Sequence, residues 1–159
     1  MRRMMTWFPW ALSGFLAILL AGGFYLFGLR GNVRTGDDGR TSVILTSGER
    51  NLVLGEMRGF LESVQEIVEA VSENDMKAAA RAALRSGRVN LDELPPSLVG
   101  KLPLEVKRLG LDTHRKFHAL GKDIEGGLAR DKVLPRLAEM MNNCVGCHAG
   151  YRLDIEKGN

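Results

Sequence analysis

The sequence predicts an all-α protein, a four-helix bundle preceded by one apolar N-terminal helix. Between residues 46 and 151 the apolar residues recur three or four positions apart, which is the spacing of one helix face. The alternating apolar and polar runs typical of strands are not evident in that stretch. The chain of 159 residues therefore divides into an apolar segment 1–29, a tether 30–45 and a helical domain 46–159.

Residues 7–29 form an apolar run of 23 residues without a charged side chain. As a helix it would span roughly 35 Å, about the thickness of a bilayer core. Trp7 and Trp10 lie near its start, where amphipathic aromatic side chains favour a membrane interface. The alternative is a cleaved signal peptide with Arg2 and Arg3 as its basic start. An uncleaved transmembrane anchor is favoured because the run exceeds roughly 7–15 apolar residues and no Ala-x-Ala site follows it.

The region between this segment and the domain is predicted to be a flexible tether. Gly31, Gly36 and Gly39 interrupt it, and Asp37 and Asp38 before Gly39 are typical of a turn. The net charge of +3 is small, and acidic and basic residues are interspersed along the soluble part of the chain. Because no cluster of Lys and Arg with interleaved aromatic residues occurs, the sequence does not indicate nucleic-acid binding.

The first two helices of the domain are predicted from their caps. The first runs from about 47 to 72, and Thr46 with Glu49 fits a capping box. The second is short and rich in alanine, from about 75 to 85, with Asn74 as its cap. We expect the first helix to contribute a wide apolar face to the core.

The third and fourth helices follow a long connection, residues 88–104, in which proline prevents a regular helix. The third is predicted over 113–125 with Asp112 as N-cap, after a helical lead-in that is interrupted at Gly110. The fourth is predicted to start near Pro135, since proline suits a first helical turn.

The fourth helix carries the sequence Cys144-Val145-Gly146-Cys147-His148. On a helix the two cysteines lie one turn apart, so both thiols can reach the vinyl groups on one porphyrin edge. The next residue then places an imidazole under the iron. This C-x-x-C-H pattern is the attachment sequence of c-type haem, and it uses both cysteines of the chain. The sequence therefore predicts one covalently attached haem c with His148 as an axial iron ligand.

Other uses of the two cysteines each lack a necessary part. A structural zinc site needs a second pair of ligands at suitable spacing, which the sequence does not supply. A thioredoxin-like redox pair needs a βαβ context. A simple disulfide would leave His148 without a role. These alternatives leave haem attachment as the favoured interpretation.

The motif lies near the C-terminus, on the last helix of a four-helix pattern, and is followed by Ala149-Gly150-Tyr151-Arg152. This placement and tail resemble the cytochrome c′ family and its low-spin cytochrome c556 relatives, over about residues 46–153. The resemblance implies a four-helix bundle of the cytochrome c′ type, with Arg152 close to the haem. It also implies haem attachment outside the cytoplasm and a possible homodimer through the first two helices.

The resemblance further implies that the first helix faces the other side of the haem iron. In the c556 type a methionine fills this position, and Met57 lies on the apolar stripe of that helix. In cytochromes c′ the position is apolar and open, and Leu54 lies one turn before Met57. His114 and His118 on the third helix are further candidates for the sixth ligand.

The predicted function is one-electron transfer by a non-enzymatic cytochrome, anchored in the inner membrane with its haem domain in the periplasm. Its expected partners are the membrane itself and periplasmic or membrane redox proteins. The alternative is a five-coordinate haem protein that binds nitric oxide or carbon monoxide for sequestration or sensing. An enzyme such as a peroxidase would also need an acid–base residue, and His114 is the one candidate near the iron.

Overall fold

A computed structural model describes residues 7–89 and 94–156, which are mostly helical. Arg2 and Arg3 and the middle of the predicted 88–104 connection lie outside these ranges. The helices are α1 (Phe8–Gly23), α2 (Ser47–Ser72), α3 (Met76–Ser86), α4 (Pro96–Lys101), α5 (Leu104–Glu125) and α6 (Arg130–Gly150). A π-helical segment, Phe24–Arg30, continues α1. The strands are β1 (Val33–Thr35), β2 (Thr41–Leu45) and β3 (Tyr151–Ile155).

The N-terminal helix projects from the rest of the protein with its apolar side chains exposed. Its stretch Pro9–Arg30 is long and apolar enough to span a membrane or to serve as a signal sequence, and none of it is buried. Trp10 is 80% exposed to solvent, whereas a large apolar side chain is usually mostly buried. The predicted apolar helix is therefore present, and most of its length is uncovered within the described chain.

One buried core joins α2, α3, α5 and α6. Its largest fully buried side chains are Phe117 of α5, Ile67 of α2 and Val133 of α6. The short helix α3 contributes four buried alanines, because only small side chains fit between it and its neighbours. At Gly87 an added Cβ would lie 2.6 Å from the Cα of His118, and at Gly121 it would lie 2.6 Å from the Cγ of Leu84. These glycines allow α3 and α5 to pack closely.

The first predicted helix is confirmed at both ends. The Thr46 hydroxyl accepts from the Glu49 backbone amide at 3.3 Å, and the Glu49 carboxylate accepts from the Thr46 amide at 2.9 Å. The predicted cap of the second helix is wrong by one residue. Asp75 caps α3 by accepting from the Ala78 amide, whereas Asn74 takes a left-handed φ of 61° in the turn before it. Asparagine tolerates this conformation better than most residues.

Both later helices start earlier than predicted. Gly110 does not interrupt α5, and Asp112 is an interior residue whose carboxylate accepts from Asn143 rather than capping a helix. An interior glycine costs only about 1 kcal/mol relative to alanine, which tertiary packing overcomes. α6 begins at Arg130 and contains Pro135 in its interior. The burial of Val133 favours this extra turn despite the hydrogen bond that proline removes.

The predicted tether is also wrong, because residues 30–45 contain two strands of a three-stranded sheet. β1 pairs antiparallel with β2, and β2 pairs parallel with β3, so that Val43 lies opposite Leu153. Val43 and Leu45 are fully buried and form a second small core with Leu98 of α4. The free energy gained by burying these side chains outweighs the local preference of the surrounding residues for turns. The segment is therefore fixed to the domain.

A buried ion pair connects α2 to α4. The Glu49 carboxylate is 7% exposed and lies 2.8 Å from the Lys101 ammonium, which also contacts Glu156 at 2.7 Å. The hydrogen bond from Lys101 is the main reason that the pKa of Glu49 falls to about 2, and the Thr46 amide contributes to the same effect. The charged form of Glu49 therefore stabilises the fold.

Acid should remove this stabilisation. The pKa of Glu49 falls from its usual 4.5 to about 2, which at ~1.4 kcal/mol per pKa unit corresponds to roughly 3 kcal/mol. Because the folded-state pKa is lowered, the contribution is present above pH 4.5 and is lost as the pH falls toward 2. Urea unfolding should show Glu49→Gln less stable than wild type at pH 7, with a smaller difference near pH 3. Glu62→Gln, at an exposed position of α2, is the control and should change little. A difference that is independent of pH would contradict this account.

Candidate haem site

The motif cysteines extend the buried stripe of α6. Val133, Leu137 and Met140 lie on this stripe, and Cys144 and Cys147 continue it into the last turns of the helix. The helix ends at Gly150, and the chain passes directly into β3. The two cysteines therefore lie one turn apart and half-buried, in line with the side of α6 that builds the core.

The two cysteines are free thiols in a half-buried position. Burial raises the pKa of Cys144, and burial together with the charges of Cys144 and Glu105 raises the pKa of Cys147. Both sulfurs are therefore protonated at neutral pH. Such thiols do not resemble the low-pKa thiolates of redox or catalytic cysteines, and their surroundings suit attachment of an apolar group.

His148 lies at the edge of the same stripe and is exposed. Its backbone carbonyl accepts a hydrogen bond from Arg40 at 3.2 Å, and the same guanidinium nitrogen approaches the Tyr151 carbonyl at 3.4 Å. Arg40 therefore caps the C-terminal end of α6 with a positive charge, which interacts favourably with the negative end of the helix dipole. This cap fixes the backbone that carries the imidazole.

Beside His148, α2 and α6 touch each other at only a few positions, and we call the apolar surface along this contact the α2–α6 cleft. The side of α2 that faces α3 is identified by Ser63 and Glu66, whose side chains hydrogen-bond to residues of α3. The side of α6 that faces α5 is identified in the same way by Arg136 and Asn143, which bond to residues of α5. At about 100° per residue, the sides that α2 and α6 turn toward each other carry further apolar residues. On α2 these residues are Leu54, Met57, Leu61 and Val68, and on α6 they are Leu134, Met141 and Val145.

The walls of this α2–α6 cleft are unusually exposed for apolar side chains. Leu61 is 68% and Val145 is 66% exposed, whereas large apolar side chains in a stripe beside a core are normally covered. Leu54 and Met57 are half-buried and belong to neither buried cluster of the described chain. The cleft therefore offers a surface that a large, flat, apolar group would cover.

The two histidines of α5 are placed differently from Met57. His114 is held on both ring nitrogens, with Nδ1 2.7 Å from the Ser86 carbonyl oxygen and Nε2 3.4 Å from the Glu56 carboxylate. Its ring also packs edge-on against Phe60. His118 is exposed, and its backbone packs against Gly87 at the end of α3. Ligation by either ring nitrogen of His114 would require the present contact of that nitrogen to break.

Arg152 lies on β3 and is surrounded by carboxylates. Its guanidinium contacts Asp37, lies 3.3 Å from Asp38 and lies 3.1 Å from Asp154. The side chain of Tyr151, also on β3, packs against the small core of Val43, Leu45 and Leu98, and its hydroxyl donates to Glu105 at 2.9 Å. Burial and this glutamate raise the pKa of Tyr151 to about 12. A role for Arg152 beside the haem stays a prediction.

Sequence reasoning missed Arg40, Glu105 and the strand that follows the motif. Residues 151–155 do alternate apolar and polar side chains, which is the signal of a strand. The run Thr41-Ser42-Val43-Ile44-Leu45 is rich in β-branched residues, which is a second signal. Arg40 carries no comparable signal, because its partners lie more than 100 residues away.

The residues at this site fit a covalently bound haem. Two free thiols lie one turn apart, an imidazole follows directly, and an exposed apolar cleft adjoins them. Within the described ranges, no group of three or more His, Cys, Asp or Glu side chains could hold a metal ion. No protein-family profile, curated protein or solved structure matches the chain.

Proposed function

We propose that this protein is a membrane-anchored monohaem c-type cytochrome that transfers single electrons at the periplasmic face of the inner membrane. The observation that carries the proposal is that Cys144 and Cys147 lie half-buried one turn apart on α6, with His148 directly after them. The shared core of α2, α3, α5 and α6 supports a bundle of the cytochrome c′ type. Helix α1 would serve as the anchor, with the N-terminus in the cytoplasm.

Each residue of the site has a distinct task in this proposal. Cys144 and Cys147 would hold the haem as thioethers, and His148 would give an axial nitrogen to the iron. Haem, when bound, supplies a one-electron couple. The apolar walls of the cleft would exclude water from it, and Arg40 would keep the backbone of His148 in place. None of these tasks requires an acid–base side chain, so we propose a carrier rather than an enzyme.

Met57 is the side chain of α2 that we propose as the sixth ligand. It lies half-buried on the cleft side of a helix whose neighbouring turns are packed into the core through Phe60 and Val64. A thioether on a fixed helix can fill the sixth position of the iron and favours the ferrous form. This ligation suits electron transfer because it closes the iron to gases.

Gas binding is the second candidate function, and the position of Leu54 favours it. Leu54 is half-buried one turn before Met57 on the same wall of the cleft. If the Met57 sulfur turned away from the iron, Leu54 would leave an apolar, open sixth position suited to nitric oxide or carbon monoxide.

An optical spectrum of the purified protein separates these two functions. Low-spin bands that do not respond to carbon monoxide would support electron transfer with a filled sixth position. High-spin bands that shift on adding carbon monoxide would support gas binding instead. The resemblance to cytochrome c′ also suggests a homodimer through α2 and α3, which light scattering of the same sample would detect.

Removal of the N-terminal helix is expected to release the protein from membranes. Expressed in a host that matures c-type cytochromes, the full chain should sediment with membranes and keep its first residues. A chain starting at Gly31 behind a cleavable leader should be soluble and red, because the two cores and the sheet lie beyond residue 31. Intact mass spectrometry provides the check. A full-length product that lacks its first two dozen or so residues would identify a signal peptide instead of an anchor.

A further inference from the structure

The last turns of the N-terminal helix are held against α4 and α5. The Lys107 ammonium of α5 donates to the carbonyl oxygens of Phe27 at 3.1 Å and of Gly28 at 3.3 Å. The Phe27 ring also packs over α4, since a Cβ placed on Gly100 would lie 3.6 Å from its Cδ1. Lys107 thus caps the carbonyl end of this helix, where a cation is favoured.

The chain that follows the helix is equally constrained. Gly31 has a φ of 69°, and a Cβ there would lie 2.4 Å from the Lys101 carbonyl oxygen. The Asn32 amide donates to that same oxygen at 2.8 Å, and the Asn32 side chain donates to the Ile44 carbonyl at 3.1 Å. No free linker therefore separates the apolar helix from the sheet, and the domain is fixed relative to the helix axis.

This attachment sets the depth of α4 in a membrane. The 22 residues Pro9–Arg30 span roughly 33 Å as a helix, and the hydrocarbon core of a bilayer is about 30 Å thick. Phe27 and Gly28 would therefore lie at the boundary between the hydrocarbon and the headgroups. Lys107 and Gly100 contact this part of the helix and would lie at the same depth.

The protein presents an amphipathic surface at that depth. Val99 of α4 is 40% exposed, and Leu94 just before α4 is 38% exposed. Arg30 and Arg108 are also exposed beside this point of attachment. Apolar side chains next to cations are the combination that a phospholipid interface accepts, with the cations near the phosphates.

We propose that α4 and the first turns of α5 rest on the phospholipid headgroups of the membrane that holds the anchor. The inference rests on the proposed anchor and adds a fixed orientation to it. The first turn of α5 carries Glu105, which accepts a hydrogen bond from Tyr151, three residues after the end of the haem motif. The C-terminal end of α6, which carries the haem motif, is therefore held toward the membrane. An integral membrane redox partner would contact the protein at this end.

Photocrosslinking of the full chain in lipid vesicles tests this proposal. The photoreactive amino acid p-benzoylphenylalanine replaces Val99 in one variant, Leu94 in a second and Glu73 in a control, in vesicles of phosphatidylcholine and phosphatidylglycerol. Glu73 is an exposed residue directly after α2, at the end of that helix far from its contact with α4. After illumination, mass spectrometry should show phospholipid adducts at positions 99 and 94 in several-fold excess over position 73.

A carbonate wash of the same vesicles separates the two proposals. If the chain stays in the vesicles and positions 99 and 94 give no more lipid adduct than position 73, the orientation proposed here is wrong and the anchor is not. If carbonate releases the chain, the anchor is wrong and the orientation falls with it. Circular dichroism of each variant confirms that the helices are intact before illumination.

Discussion

Replacing Cys144 and Cys147 together with alanine is expected to abolish covalent haem. The proposed attachment uses one thioether from each cysteine, and these are the chain's two cysteines. The expected result is a complete loss of haem stain at the position of the chain after denaturing electrophoresis. The host must mature c-type cytochromes, and an immunoblot should confirm that the chain itself is still made.

Single variants and a neighbouring control sharpen this experiment. Each single Cys→Ala change leaves one thioether and should lower the stain without removing it, unless the unattached chain is degraded. Asn142→Ala, at an exposed position of the same helix, should stain like wild type. Stain that persists in the double variant, or wild-type haem that acid acetone extracts, would contradict covalent attachment.

Met57→Ala is expected to convert a low-spin haem to high spin and to open it to carbon monoxide. Removing the thioether removes the proposed sixth ligand, and alanine leaves space at the cleft wall. Fully buried Met→Ala substitutions cost roughly 2–5 kcal/mol, and half-buried Met57 should cost less. The measurement is the ferric and ferrous spectrum with and without carbon monoxide.

Leu54→Ala is the matched control for this substitution. It enlarges the same wall of the cleft one turn away but keeps the sulfur, so its spectrum should remain low-spin and insensitive to carbon monoxide. A wild-type protein that is already high-spin and binds carbon monoxide would show that Met57 only packs against its neighbours. Gas binding would then become the favoured function.

Local chemistry explains which parts of the fold the sequence could predict. The limits of α2 were predicted because Thr46 and Glu49 cap each other within four residues. The starts of α5 and α6 were missed because Gly110 and Pro135 disfavour a helix locally. Val133 is fully buried in the core that α6 shares with α2, α3 and α5, and burial by distant residues is not visible in a short window of sequence.

The same distinction applies to the site. The three motif residues lie within five positions of each other, so their arrangement on a helix followed from spacing alone. The cleft depends on how far α2 and α6 stand apart, and Arg40 reaches His148 across 108 positions in the chain. The positions of Leu54 and Met57 on the wall of the cleft were indicated only by resemblance and by the helical pattern of α2.

The parallel pairing of β2 with β3 limits the order in which the protein can fold while it is synthesised. The Ser42 hydroxyl donates to the carboxylate of Asp154, 112 residues later, and the partner of Val43 is likewise among the last residues described. While the chain is synthesised from its N-terminus, β2 emerges early and has no β3 to pair with. Contacts between such distant residues form slowly. The proposed haem motif ends three residues before β3, so its two cysteines and its histidine emerge in the same stage of synthesis that allows the sheet to close.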